Sequence, residues 1–149
     1  MTEVLFYHLQ SQPLEQVLPG LLEKCLERNW RAVVQVGSEE RRDALDAHLW
    51  TYREEGFLPH GTAKDGHAGA QPVWLTAADD NPNGAKVRFL ADGTETANYP
   101  DYERVVVLFD GNDPDAVDRA RASWTVAKAA GHEATYWQQS ERGRWEKKA

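Results

Sequence analysis

The stretch DPDAVDRARASWTVAKAAG, residues 113–131, holds the side chains best suited to grip a ligand. Wound as a helix, it sets Val117, Arg121, Trp124 and Lys128 along one edge, at i, i+4, i+7 and i+11. A tryptophan flanked by two cations makes a ledge, apolar in its middle and positive at both ends. Its complement is a ligand that is both aromatic and anionic. An aromatic group would settle against Trp124 and Val117 while Arg121 holds a carboxylate through paired N–H donors. The competing structural account has Trp124 filling the rim of the core, with the stems of Arg121 and Lys128 laid across it. The helical pattern leaves both open. Beside the ledge, Ala116, Ala120, Ser123, Ala127 and Ala130 form a stripe of small residues that lets the helix lie close to a sheet.

A second aromatic group sits in HLWTYREEGFLPHG, residues 48–61, where Trp50, Tyr52 and Phe57 surround Arg53, Glu54 and Glu55. Past Trp50 neither helical nor strand periodicity fits, so a loop is expected. Trp50 and Phe57 are the natural second wall for the Trp124 ledge, although nothing in the sequence brings the two walls together.

Other chemistries find less support. His8, His48, His60, His67 and His132 show no metal-ligand spacing and no cysteine partner. DGNDPD (110–115) offers acidic oxygens but lacks the glycine and the closing glutamate of a calcium loop. The pairs Glu54/Glu55 and Asp79/Asp80 lie in polar stretches where solvation accounts for them. HLQSQPLEQ, after the first strand, has no glycine through which backbone could approach a pyrophosphate. VGSEERRD lacks the lysine of a phosphate loop, and no G-x-S-x-G elbow is present. Neither a cofactor nor a catalytic centre is expected.

The elements that must position the ledge follow from periodicity. EVLFYHL (3–9), RAVVQVG (31–37) and RVVVLFDG (104–111) are short apolar runs suited to buried strands. PVWL (72–75) and KVRFLAD (86–92) are shorter strands around an Asn-Pro-Asn-Gly turn, and HEATYWQQ (132–139) reads as the last strand. Residues 14–28 are helical, with Pro19-Gly20 predicting a kink or a late start. Ser38 caps a helix whose apolar positions are Ala44, Leu45, Leu49 and Trp50. Asp113 and Pro114 open the ledge helix and Gly131 closes it. Strands alternating with helices predict one α/β domain, residues 1–149: a sandwich built on a mostly parallel mixed sheet with helices on both faces.

The bulk properties agree with that class. The 149 residues are 41 % hydrophobic and 28 % charged, which suits one globular domain rather than a disordered chain. A net charge of −7 argues against a general nucleic-acid binder. The single cysteine, Cys25, suits a reducing compartment and reads as a small buried hydrophobe. MTEVLFYHLQ lacks the basic start of a secretory signal, and no apolar run approaches the roughly 20 residues of a membrane helix. A cytoplasmic protein is expected.

These blocks together resemble the chi subunit of bacterial DNA polymerase III. HLWTYREEGFLPHG matches the family's L-W-x6-F-x-P-H block. FYHL, PVWLT, VVVLFDG with the A-R-x-x-W helix, and GHEATYWQQSERGRWEKK extend the match over essentially the whole chain. The resemblance implies a Rossmann-like fold without a working nucleotide site and a non-catalytic role in replication. It implies binding to the psi subunit, hence to the clamp loader, and to the acidic C-terminal Pro-Phe tail of single-stranded DNA-binding protein. By position, the tail-binding residues are Trp50, Phe57, Arg121 and Trp124. Val117 stands where the family often has Lys, with Lys128 the substitute cation, and Asp110 stands where an apolar residue is usual. The expected state is a monomer within a hetero-complex, away from membranes, touching DNA mainly indirectly. The alternative is a nucleotide-binding protein or enzyme on the same scaffold, with a direct single-strand binder behind it.

Overall fold

The computed structural model describes residues 2–10, 12–51, 60–96, 99–142 and 144–149. The elements run β1 (Glu3–Leu9), α1 (Leu14–Glu27), β2 (Ala32–Gln35), α2 (Glu39–Thr51), β3 (Val73–Thr76), β4 (Val87–Leu90), β5 (Arg104–Asp110), α3 (Pro114–Ala129), β6 (Glu133–Gln139) and β7 (Trp145–Lys147). They build one seven-stranded sheet in the order β3-β2-β4-β5-β1-β6-β7. Every neighbouring pair is parallel except β6 and β7.

Alternation along the strands assigns the two faces. Val4 and Phe6 of β1, with Val105 and Phe109 of β5, pack with Ala120 and Ala127 of α3. Leu9, Val106 and Leu108 face the other way, into a core with the α1 leucines and with Leu45 and Leu49 of α2. Helices therefore cover both faces, as the sequence predicts. The route is less regular than a simple alternation: after edge strand β3 the chain returns to the middle of the sheet as β4, between β2 and β5.

Local chemistry sets the helix ends. Ser38 Oγ accepts the Arg41 N–H at 3.1 Å. Asp113 Oδ1 accepts the Asp115 N–H at 3.0 Å ahead of Pro114, and Gly131, at φ 84°, follows the end of α3. Pro19 does not delay α1, which begins at Leu14. A proline has no N–H to give the carbonyl four residues back, here that of Glu15. That carbonyl instead accepts from His48 Nε2 of α2 at 2.7 Å, so the gap in one helix ties down another.

Two features depart from expectation, and a third, the burial of Arg88, was unmarked in the sequence. Ala44 of α2 is exposed, and Arg42 is buried instead. HEATYWQQ is not the last strand. The chain turns at Ser140, whose N–H reaches the Arg144 carbonyl at 2.8 Å, and returns as β7. Trp145 holds that short strand by packing on Tyr7, ring centroids 4.7 Å apart. Arg88, in the KVRFLAD run, is fully buried. Its Nη1 donates to the Asp80 carbonyl (2.7 Å) and the Tyr102 hydroxyl (3.0 Å), its Nη2 to the Ala78 carbonyl (2.9 Å), and Nε and Nη2 both to Gln35 Oε1. Cys25 is buried in the α1 core, and burial pushes its thiol up to about 11.

Candidate functional site

The ledge forms where α3 crosses β1, β5 and β6. Ala120 and Ala127 are buried, and their small side chains bring the helix backbone down onto the sheet. Trp124 is thereby set half-buried at the helix edge. Its ring meets Phe6 edge-on at 5.5 Å and Tyr136 at 6.2 Å. Lys128 Nζ stands 5.0 Å from the Trp124 ring centroid, within cation–π range. Val117 is half-buried, and Arg121 is exposed. Among the described residues Arg121 pairs with no carboxylate. Trp124 thus covers the rim of the core with Lys128 over its ring, and Arg121 is exposed beside it.

The floor beside Arg121 comes from residues that periodicity did not single out as a site. His8 packs on Phe109 at 5.2 Å between ring centroids, and its Nδ1 lies 2.6 Å from the Tyr136 hydroxyl. Register places Phe6 opposite Tyr136 across β1 and β6, and His8 opposite Phe109 across β1 and β5. Gly111 is required for space, since a Cβ there would run into the His8 imidazole. Burial lowers the His8 pKa, with Arg121 acting in the same direction, while Asp110 and a hydrogen bond to the Gly111 backbone oppose it. Burial raises the Tyr136 pKa, against the field of Arg121. Asp110 bonds the Asn112 N–H at 2.9 Å and so closes the turn after β5. A usable signal existed in the alternation of FYHL and HEATYWQQ, which sets Phe6, His8, Ala134 and Tyr136 on one face.

Trp50 is elsewhere. It closes α2 on the opposite face of the sheet from α3, where its ring lies 4.3 Å from that of His60. At 48 % exposure it is the most open Trp among the described residues. The His60 side chain is buried, with Nε2 3.1 Å from the Asp46 carboxylate, whose pKa burial raises. Phe57 lies outside the described residues. The structure therefore gathers Val117, Arg121, Trp124 and Lys128 on one element and does not bring Trp50 to them.

A separate crevice of about 580 Å³ opens at the carboxyl ends of β1, β4 and β5, the place where open parallel sheets hold nucleotides. Glu15, Asp92, Glu95, Asp110 and Asp113 line it, against Arg41 and Arg119. Arg41 is itself engaged by Glu15 and by Asp92 at 3.3 Å. The helix N-termini that reach it carry their own acids, Glu15 on α1 and Asp115 on α3. An excess of carboxylates there repels phosphate rather than cradling it.

The family model described as DNA polymerase III chi subunit, HolC, matches residues 1–135. A probable DNA polymerase III subunit chi from Rickettsia prowazekii is 28 % identical over 109 residues, covering 73 % of this chain and 66 % of that protein. A DNA polymerase III subunit chi from Pseudomonas aeruginosa is 34 % identical over 68 residues, 44 % of this chain and 48 % of that protein. The chain thus spans just under two thirds and about half of the lengths of these relatives.

Proposed function

The chain belongs to the DNA polymerase III chi subunit family, and from that premise we propose that it is a non-catalytic accessory subunit linking the clamp loader to single-stranded DNA-binding protein. The α3 ledge receives the acidic C-terminal Pro-Phe tail of that protein. Arg121 holds the terminal carboxylate, and Trp124 and Val117, with Phe109 and Tyr136 beneath, take the terminal Phe. Lys128 attracts the acids that precede it. The observation that carries this reading is an exposed Arg121, without a carboxylate partner among the described residues, beside a half-buried aromatic basin. Such a small, charge-assisted contact gives affinity on the order of micromolar that weakens as salt rises.

An adaptor holds two partners at once only where their surfaces do not overlap. Trp50, exposed on the opposite face, is removed from the tail pocket and suits the second partner, psi or another clamp-loader component. The net charge of −7 keeps DNA contact mainly indirect. We place the protein in the cytoplasm, as a monomer within its complex. No helix among the described residues is long and apolar enough to cross a membrane.

The test is a fluorescence-anisotropy titration with a labelled acidic peptide ending Asp-Ile-Pro-Phe, using wild type and Arg121→Ala. Micromolar binding is expected, with at least a tenfold loss in the variant, since charge-assisted pairs contribute about 1.5–3 kcal/mol. Absence of binding to the wild type at low salt sinks the proposal. Saturable nucleotide binding would favour the enzyme alternative instead.

A further inference from the structure

Two titratable side chains, His8 and Tyr136, meet on the floor of the ledge within the field of Arg121. Only one of them can donate along their shared 2.6 Å contact at a time. The Gly111 backbone also acts on the imidazole, in the direction that favours a ring proton. The imidazole is pressed onto Gly111 through its Nε2 edge, the atom a Cβ there would meet first. With its proton on Nε2, neutral His8 presents an Nδ1 lone pair that takes the Tyr136 O–H. Protonated His8 carries an N–H on both nitrogens. Its Nδ1–H then donates to the Tyr136 oxygen, and the phenolic proton is freed to point toward Arg121.

We propose that His8 and Tyr136 are specificity-determining residues of the ledge. A ligand carboxylate held by Arg121 draws a proton from solvent onto His8 Nδ1, and the freed Tyr136 O–H donates to that carboxylate. The ledge thereby selects a terminal carboxylate over a neutral end. The proposal rests on the tail-binding reading above. No bond between heavy atoms changes; one proton enters from water and one hydrogen bond reverses.

The groups facing His8 make the coupling directional. Arg121 of α3 disfavours the imidazolium, and Asp110 at the end of β5 favours it. The remaining neighbours, Phe109 of β5 and Gln138 of β6, carry no charge. A carboxylate on Arg121 cancels that unfavourable charge and adds a favourable one. The ligand-bound protein therefore holds the His8 proton more tightly, and by linkage affinity rises as pH falls through the histidine range.

Isothermal titration of the acidic Pro-Phe peptide, in two buffers of different ionisation enthalpy between about pH 6 and 8, measures both affinity and protons taken up. Three comparisons accompany it: the C-terminally amidated peptide, Tyr136→Phe and His8→Asn. Wild type should bind severalfold more tightly at the acid end and take up a fraction of a proton. His8→Asn should bind the peptide with a flat pH profile, while Tyr136→Phe, which keeps the ring packing and His8, should keep a pH dependence but lose its preference for the carboxylate over the amide. The amide should bind weakly and without pH dependence. A flat wild-type profile, or an unchanged slope in His8→Asn, overturns the proton coupling while leaving tail binding intact. Failure of the wild type to bind at any pH overturns both.

Discussion

Arg88→Met tests whether the buried guanidinium holds the sheet to its loops. The wild-type side chain has five N–H donors and makes five hydrogen bonds, to Gln35 (twice), Tyr102, Ala78 and Asp80, with Asp79 3.4 Å away. Ala78 and Asp80 are exposed, so water replaces the arginine at their carbonyls. Gln35 and Tyr102 are 7 % and 4 % exposed, and their oxygens would be stranded. Each stranded buried partner costs about 1–3 kcal/mol. Release of the guanidinium from its buried position offsets part of this, leaving a net destabilisation of about 2–4 kcal/mol. With an m-value of about 1–3 kcal/mol/M, urea denaturation should show its midpoint lowered by about 1–2 M. Adding Gln35→Leu and Tyr102→Phe removes the stranded oxygens and should recover part of the loss, because removing both sides of a buried hydrogen bond is far milder than removing one. A loss below about 0.5 kcal/mol in the single variant would refute the reasoning, as would a triple variant no more stable than the single one.

Gly111→Ala should reduce both stability and tail binding, because the new methyl displaces His8 from its place against Phe109 and Tyr136. Overpacking of this kind costs about 1–3 kcal/mol, to be read from thermal unfolding alongside the peptide titration, and unchanged values in both would count against the close approach. At Glu15, burial acts to raise the carboxyl, but its backbone hydrogen bond and Arg41 together pull it below its ordinary value. A depressed folded-state value means stability that is present above the unfolded carboxylate range and lost as pH falls through the folded one. Both side chains are about one-third exposed, so Arg41→Ala should cost about 0–1 kcal/mol at neutral pH. The gap in melting temperature from wild type should close toward pH 3, and a gap that stays constant to that pH would show that the ion pair is not its source.

The ledge itself was legible in sequence because a single helix carries it. The 3.6-residue repeat alone puts Arg121 between Val117 and Trp124, and Asp113, Pro114 and Gly131 mark that helix's ends through chemistry confined to a few neighbouring residues. The buried strands were legible for the same reason, since β-rich apolar runs must leave water wherever the chain later takes them. Periodicity says which side of an element is apolar; it does not say which helix covers which face of the sheet. That choice belongs to the crossover connections. They set α1 and α2 on one face and α3 on the other, which parts Trp50 from Trp124 although both read as walls of one groove. β7 was hidden because three residues with one tryptophan carry too little pattern, and the surface Trp145 packs on comes from residues far away in sequence, Tyr7 among them. The burial of Arg88 was not legible in KVRFLAD, since its acceptors come from β2, from the loop after β3 and from Tyr102. His8 and Tyr136 stand 128 residues apart and become partners only where β1 and β6 lie side by side. Short-range periodicity therefore decided which elements exist and which residues share an edge, while long-range strand pairing decided which side chains meet.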